Sequence, residues 1–196
     1  MKIQAANGYY LPSFFFMKIE SDDDVLEIVQ NNEQTFVHEY IHFLQDLILP
    51  YNIRNTLVSN RDFALISSTG FHEKEISRPF SKWDDDAELT NKQFAYIWGG
   101  QDFKSDKEKI VTIEKEHFEI YTGARIFGYV LTTETGYQYH IGARDFLEYM
   151  AHKIEEKNWP VRHPAFPYQT IDLIFEYYGL EWVVDDVKLC LVEFSL

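Results

Sequence analysis

Between Thr35 and Leu47 the chain reads TFVHEYIHFLQDL, and within it His38, Glu39 and His42 have the spacing H-E-x-x-H. On a helix, residues four apart lie one turn apart on the same face. Two imidazoles so placed can reach one Zn²⁺ at about 2.0–2.1 Å. The Glu beside the first His then points next to the metal rather than at it, where it can act as general base on a zinc-bound water. The chemistry this spacing permits is hydrolysis by an activated water. The plain alternative is a solvated polar face. A third protein ligand with an open position for water separates the two.

The segment reads as a helix. At about 100° per residue, Gln34, Thr35, His38, Glu39, His42, Gln45 and Asp46 fall in one polar arc. Phe36, Val37, Tyr40, Ile41, Phe43, Leu44, Leu47 and Ile48 fill the opposite arc. Pro50 stops the helix, which is predicted over about 33–49. The apolar arc is expected to lie along a core, with both histidines turned away from it toward a cleft or solvent.

A third ligand is available from several places: Glu134, His117, His140, Asp145, Glu148, His152 and Glu155. GARDFLEYMAHKIEE predicts a helix over about 143–157, with Arg144, Asp145, Glu148, Ala151, His152 and Glu155 on one side. Glu148 sits at the centre of that stripe. The small Ala151, three residues on, lets this helix approach the motif helix closely.

With these two helices the chain resembles the gluzincin branch of the zincin metallopeptidases, in which H-E-x-x-H is paired with a later helix carrying Glu-x-x-Ala or a relative of it. Here the pair is His38-Glu39-Tyr40-Ile41-His42 and Glu148-Tyr149-Met150-Ala151. The resemblance implies Zn²⁺ as cofactor, His38, His42 and Glu148 as its ligands, and Glu39 as general base toward a zinc-activated water. It implies hydrolysis of a peptide bond in a protein or peptide, by an endopeptidase rather than an exopeptidase. Asp46 matches members with an acid four residues beyond the second His. The separation of the two motifs is longer than in the best-known members. The acid that often follows the ligand Glu by four is replaced by His152, so Asp145, Glu155 or His152 itself would supply the supporting contact. An oxyanion donor is expected from Tyr168, His140 or His152. The other readings are a zincin-fold binding or regulatory module without significant turnover, and a metal-free interaction protein.

The elements that must position these residues suggest an α+β, zincin-like fold, mostly helical, with a small antiparallel sheet and a central motif helix, in one domain over 1–196. A strand is predicted over 12–20 and a short helix over about 22–30, behind Ser21-Asp22-Asp23-Asp24 as cap. Further helices are predicted over 51–67, ending in a loop at Ser68–Gly70, and over 85–98. Between 109 and 142, β-branched and aromatic stretches punctuated by glycine predict antiparallel strands, one of which could hold substrate by main-chain pairing. Pro167-Tyr168 opens a helix to Tyr178 with Gly179 as C-cap. A last helix runs from about Glu181 and ends on apolar residues, which implies a docking partner or a continuation of the chain.

The net charge of -14 argues against nucleic-acid and anionic-membrane partners. Aromatic residues make up 17% of the chain, which suits a packed core or a cleft that grips extended peptide. The single cysteine, Cys190, has apolar neighbours and is expected to be buried. No apolar run is long enough to span a bilayer and no signal-peptide core is present, so a cytoplasmic location is the expectation.

Overall fold

In the computed structural model, residues 8–11, 14–21, 24–72, 99–100, 108–119, 125–160 and 163–196 are described. Among them are six helices and five strands, an α+β arrangement with two small antiparallel sheets. β1 (Gly8–Leu11) and β2 (Phe16–Ile19) form a hairpin with Tyr10 opposite Met17. Only the second of these strands lies in the predicted span. The hairpin rests on the motif helix because Gly8 has no side chain. A Cβ there would stand 2.8 Å from the Lys18 carbonyl and 2.9 Å from the Thr35 methyl.

Three helices follow almost without a break: α1 (Val25–Asn31), α2 (Glu33–Ile48) and α3 (Pro50–His72). Pro50 both ends α2 and opens α3, since a first-turn residue needs no N–H. α3 continues through Ser68–Gly70, where a loop was expected. One glycine near a helix end costs about 1 kcal/mol relative to alanine, too little to stop it. The helix predicted over 85–98 lies outside the described residues.

β3 (Ile110–Glu119), β4 (Arg125–Thr133) and β5 (Gln138–Ile141) form the second sheet in that order, antiparallel throughout. Ile110, Leu131 and Tyr139 point inward and pack with Ala165 and Phe166. α4 (Ala143–Glu156) leaves β5 through Gly142, whose N–H is accepted by the Asp145 carboxylate at 2.9 Å. α5 (Thr170–Tyr177) begins later than predicted, because residues 167–169 form a turn in which the Gln169 amide returns to the Ala165 carbonyl at 2.8 Å. It ends as expected at Gly179, at φ 69°. The Gly179 and Leu180 amides return to the Glu176 and Phe175 carbonyls at 2.9 and 2.8 Å. α6 (Asp185–Ser195) also starts late, where Asp185 and Asp186 meet the positive end of the helix dipole.

α6 docks through Val192 onto Tyr149 and Ile171, a second small core shared with α4 and α5. Beside it, Asp172 ties the three helices: it accepts from Lys188 at 2.6 Å and from the Tyr149 hydroxyl at 3.1 Å, and pairs with Lys153 at 2.9 Å. Cys190 is exposed, contrary to expectation, because α6 turns Val192 and Lys188 inward instead. No helix among the described residues is long and apolar enough to cross a membrane.

The largest departure concerns α2. Its polar arc is turned inward, with His38, Glu39, Gln45 and Asp46 buried, while of the apolar arc Ile41 is buried and Tyr40, Leu44, Leu47 and Ile48 are exposed. The polar arc goes inward because it is matched, group by group, to α4. Gln34 meets Glu155, His38 meets Glu155 and Glu148, His42 meets Glu148, and Gln45 donates to the Leu147 carbonyl. The numbers rise along α2 as they fall along α4, so the two helices run antiparallel.

Candidate metal centre between two antiparallel helices

His38 and His42 present their Nε2 atoms toward one another at 3.2 Å. Glu148 Oε2 lies 3.3 Å from the first and 3.4 Å from the second. Three ligand atoms on a tetrahedral metal with bonds of about 2.0–2.1 Å stand roughly 3.3–3.4 Å apart. The triangle therefore has the size of one face of a tetrahedral zinc site. Glu148 comes from α4 one turn after Arg144, whose Nε lies 3.7 Å from the other carboxylate oxygen. Ala151, fully buried on the same side of α4, adds no bulk there.

The hydrogen bonds behind the two imidazoles decide where their protons sit. Glu155 Oε2 faces His38 Nδ1 at 3.0 Å. A carboxylate only accepts, so Nδ1 carries the proton. For His42 the partner is Gln45 Oε1 at 2.8 Å. The Gln45 amide is oriented by the Leu147 carbonyl, which can only accept and so fixes Nε2 as the donor at 3.0 Å. Gln45 thus offers its oxygen to His42, and that Nδ1 also carries the proton. With Nδ1 protonated on both rings, the two Nε2 atoms are left facing one point, with a carboxylate beside them. Such an arrangement calls for a positive charge there.

The electrostatics agree. Burial alone would lower the pKa of His38, but hydrogen bonds and charge from Glu148 and Glu155 outweigh it and raise it to about 10. Burial would raise Glu148, yet the two histidines hold it well below the ordinary carboxylate range. Glu155 is likewise lowered against its burial, by His163 and His38. Glu39, beside the first His, is shifted upward, mainly by burial, although His38, His42 and the backbone N–H of Tyr10 pull the other way. A carboxyl group whose pKa is raised by burial takes up a proton more readily, which suits it to carrying one back and forth.

Glu155 belongs to a second cluster with His38 and His163. Its distances of 3.0 and 2.9 Å are hydrogen-bond lengths, shorter than ligand spacing, and they use the protonated nitrogen of His38. This cluster supports the first and does not duplicate it. Glu155 thus stands where a supporting acid was expected.

The other sequence candidates divide. Tyr168 lies with its ring 6.0 Å from that of His38. His152 is buried beside His163 and Tyr168, with ring separations of 5.0 and 6.2 Å. Its Nδ1 has no hydrogen-bond partner among the described residues. Burial and the neighbouring His163 lower its pKa to about 4. His140 is not brought to the site: strand alternation turns Tyr139 inward and His140 outward, 4.0 Å from Glu116. His117 is exposed on β3, and Glu134 faces Lys109 at 3.9 Å. Asp145 is buried and occupied by Gly142 and the Thr170 hydroxyl at 2.6 Å, with burial raising its pKa to about 6. Asp46 takes the Tyr10 hydroxyl at 2.8 Å and the Asn52 amide at 2.9 Å, which fastens the hairpin and α3 to α2. Through Tyr10, β1 is the strand whose backbone reaches Glu39.

Sequence reasoning missed Gln34, Gln45 and His163 as site residues. The two glutamines share the polar arc with both histidines, which was a usable signal. His163 lies outside both helices and offers none. Compared with known families, curated proteins and solved structures, the chain matches none.

Proposed function

We propose that this protein is a zinc-dependent metallopeptidase of zincin-like, gluzincin-type construction, cleaving a peptide bond in a protein or peptide. One observation carries the reading: two imidazole Nε2 atoms and a carboxylate oxygen converge at 3.2–3.4 Å, the spacing of a tetrahedral zinc face. Among the described residues three side chains converge here, and three ligands with a fourth position for water are the pattern of catalytic zinc rather than structural zinc. When bound, zinc supplies a Lewis acid that acidifies water and polarises a carbonyl.

The chain's own residues do the rest. Glu39, buried and with a raised pKa, takes the proton of the attacking water and returns it to the amide nitrogen as the C–N bond breaks. Glu155 and Gln45, each bonded at Nδ1, hold the His38 and His42 rings with Nε2 toward the metal position. Tyr168, whose ring centroid lies 6.0 Å from that of His38, is the O–H donor we assign to assist the oxyanion.

A protease assay on unfolded protein and peptide libraries tests this, with the wild type beside Glu39→Gln and a chelator control. Zinc content is expected to stay the same in Glu39→Gln while turnover falls by roughly 10²–10⁴-fold. Retained zinc with no turnover in the wild type on any peptide would favour the binding-module reading.

A further inference from the structure

His163 lies between α4 and α5, and the peptidase reading leaves it without a role. Its Nε2 is 2.9 Å from Glu155 Oε2, the same oxygen that takes the Nδ1 proton of His38 at 3.0 Å. Its ring is stacked on Tyr168, with centroids 4.3 Å apart and planes at 18°. A second ring, His152, meets it edge-on at 5.0 Å. The backbone is held as well. The His163 carbonyl accepts from Gln169 Nε2 at 3.0 Å, and Ala165 and Phe166, just beyond, are in the core. The side chain is 20% exposed, so it is largely withdrawn from water.

The reason for so much fixing lies in Glu155. Its side chain is only 2% exposed. A carboxylate removed from water must have its lone pairs filled by donors. Glu155 has three: Gln34 on Oε1 at 2.7 Å, and His38 and His163 together on Oε2. One of the three is a proposed metal ligand. The carboxylate can hold the His38 ring in one orientation only if it is itself held, and Gln34 and His163 hold it from two sides.

We propose that His163 is a positioning residue of the metal centre: through Glu155 it fixes the tautomer and ring orientation of His38, so that the segment from His163 to Thr170 contributes to metal affinity without touching the metal. This rests on the zinc reading above. Outer contacts of this kind typically change metal affinity or activity by about 10–100-fold.

The test uses the full chain as wild type, His163→Ala and His163→Gln. Each is titrated with Zn²⁺ against a chromophoric chelator, and with Co²⁺, whose visible absorption reports ligand geometry. His163→Ala is expected to bind one Zn²⁺ about 10–100-fold more weakly, with an altered cobalt spectrum. His163→Gln keeps an N–H for Glu155 and is expected to recover most of the affinity. Thermal melts of the metal-free proteins separate this from a merely structural role, which would lower the melting temperature and leave the affinity and spectrum of the folded protein unchanged. Unchanged affinity in a folded His163→Ala, beside a zinc-binding wild type, overturns this inference alone. Two zinc ions per wild-type chain would also overturn it, by making His163 a ligand. A wild type that takes up no zinc overturns the metal reading and this inference with it.

Discussion

Filling the site with zinc should expel a proton. In the metal-free protein His38 holds one proton at Nδ1 toward Glu155 and a second at Nε2, because Glu148 and Glu155 outweigh burial and raise its pKa to about 10. At pH 7 the ring is some three units below that value, so nearly every molecule carries the second proton. Zinc needs the Nε2 lone pair. Binding at pH 7 should therefore release about one proton per chain, and the apparent dissociation constant should tighten about tenfold per pH unit between pH 6 and 8. Each such decade corresponds to about 1.4 kcal/mol. Titration calorimetry in buffers of different ionisation enthalpy measures the proton number directly. Zero protons released, with an affinity flat across pH 6–8, would refute the assignment of a charged His38 to the metal-free site. The same shift has a stability sign. A raised histidine pKa contributes stability that is fully present below pH 6.5 and is lost as pH rises through about 10. Melting of the metal-free protein should move accordingly.

Gln45→Leu removes the acceptor that orients His42 and leaves the Leu147 carbonyl without that donor. Zinc affinity should fall about 10–100-fold by chelator competition while the helical circular dichroism persists. Away from the site, Asp172→Ala leaves Lys188 and Lys153 as poorly solvated charges without their main partner. Because Asp172 is partly open to solvent, the loss should be at the low end of that for a broken buried pair, about 2–3 kcal/mol by urea denaturation. No change in zinc affinity is expected from that substitution.

The motif helix is legible in the sequence because its boundaries have local causes: the break at Asn31-Asn32 and Pro50. Its direction is not. A helical wheel reports which residues share a face, and the rule that the apolar face turns inward gives way where the polar face is matched by another helix. α4 supplies that match through Glu148 and Glu155, two turns apart on one side. The second sheet is legible from its β-branched runs. β1 is harder, since four residues of GYYL carry almost no periodic signal, and its place on α2 depends on the missing side chain of Gly8. Cys190 and His140 show the limit of judging a position by its neighbours. The first has apolar flanks and lies on the outer face of α6. The second sits beside the buried Tyr139 yet points outward. His163 reaches Glu155 from outside any helix or strand, stacked on Tyr168, and nothing in spacing announces either contact.

The central claim is that His38, His42 and Glu148 hold a metal ion. Elemental analysis of the purified protein after zinc loading and removal of free metal, beside His42→Ala, tests it most directly. About one zinc per wild-type chain is expected, and loss of most of it in a folded His42→Ala, because two remaining ligands bind far more weakly than three. A wild type that takes up no zinc, or a His42→Ala that keeps the same amount, would contradict it.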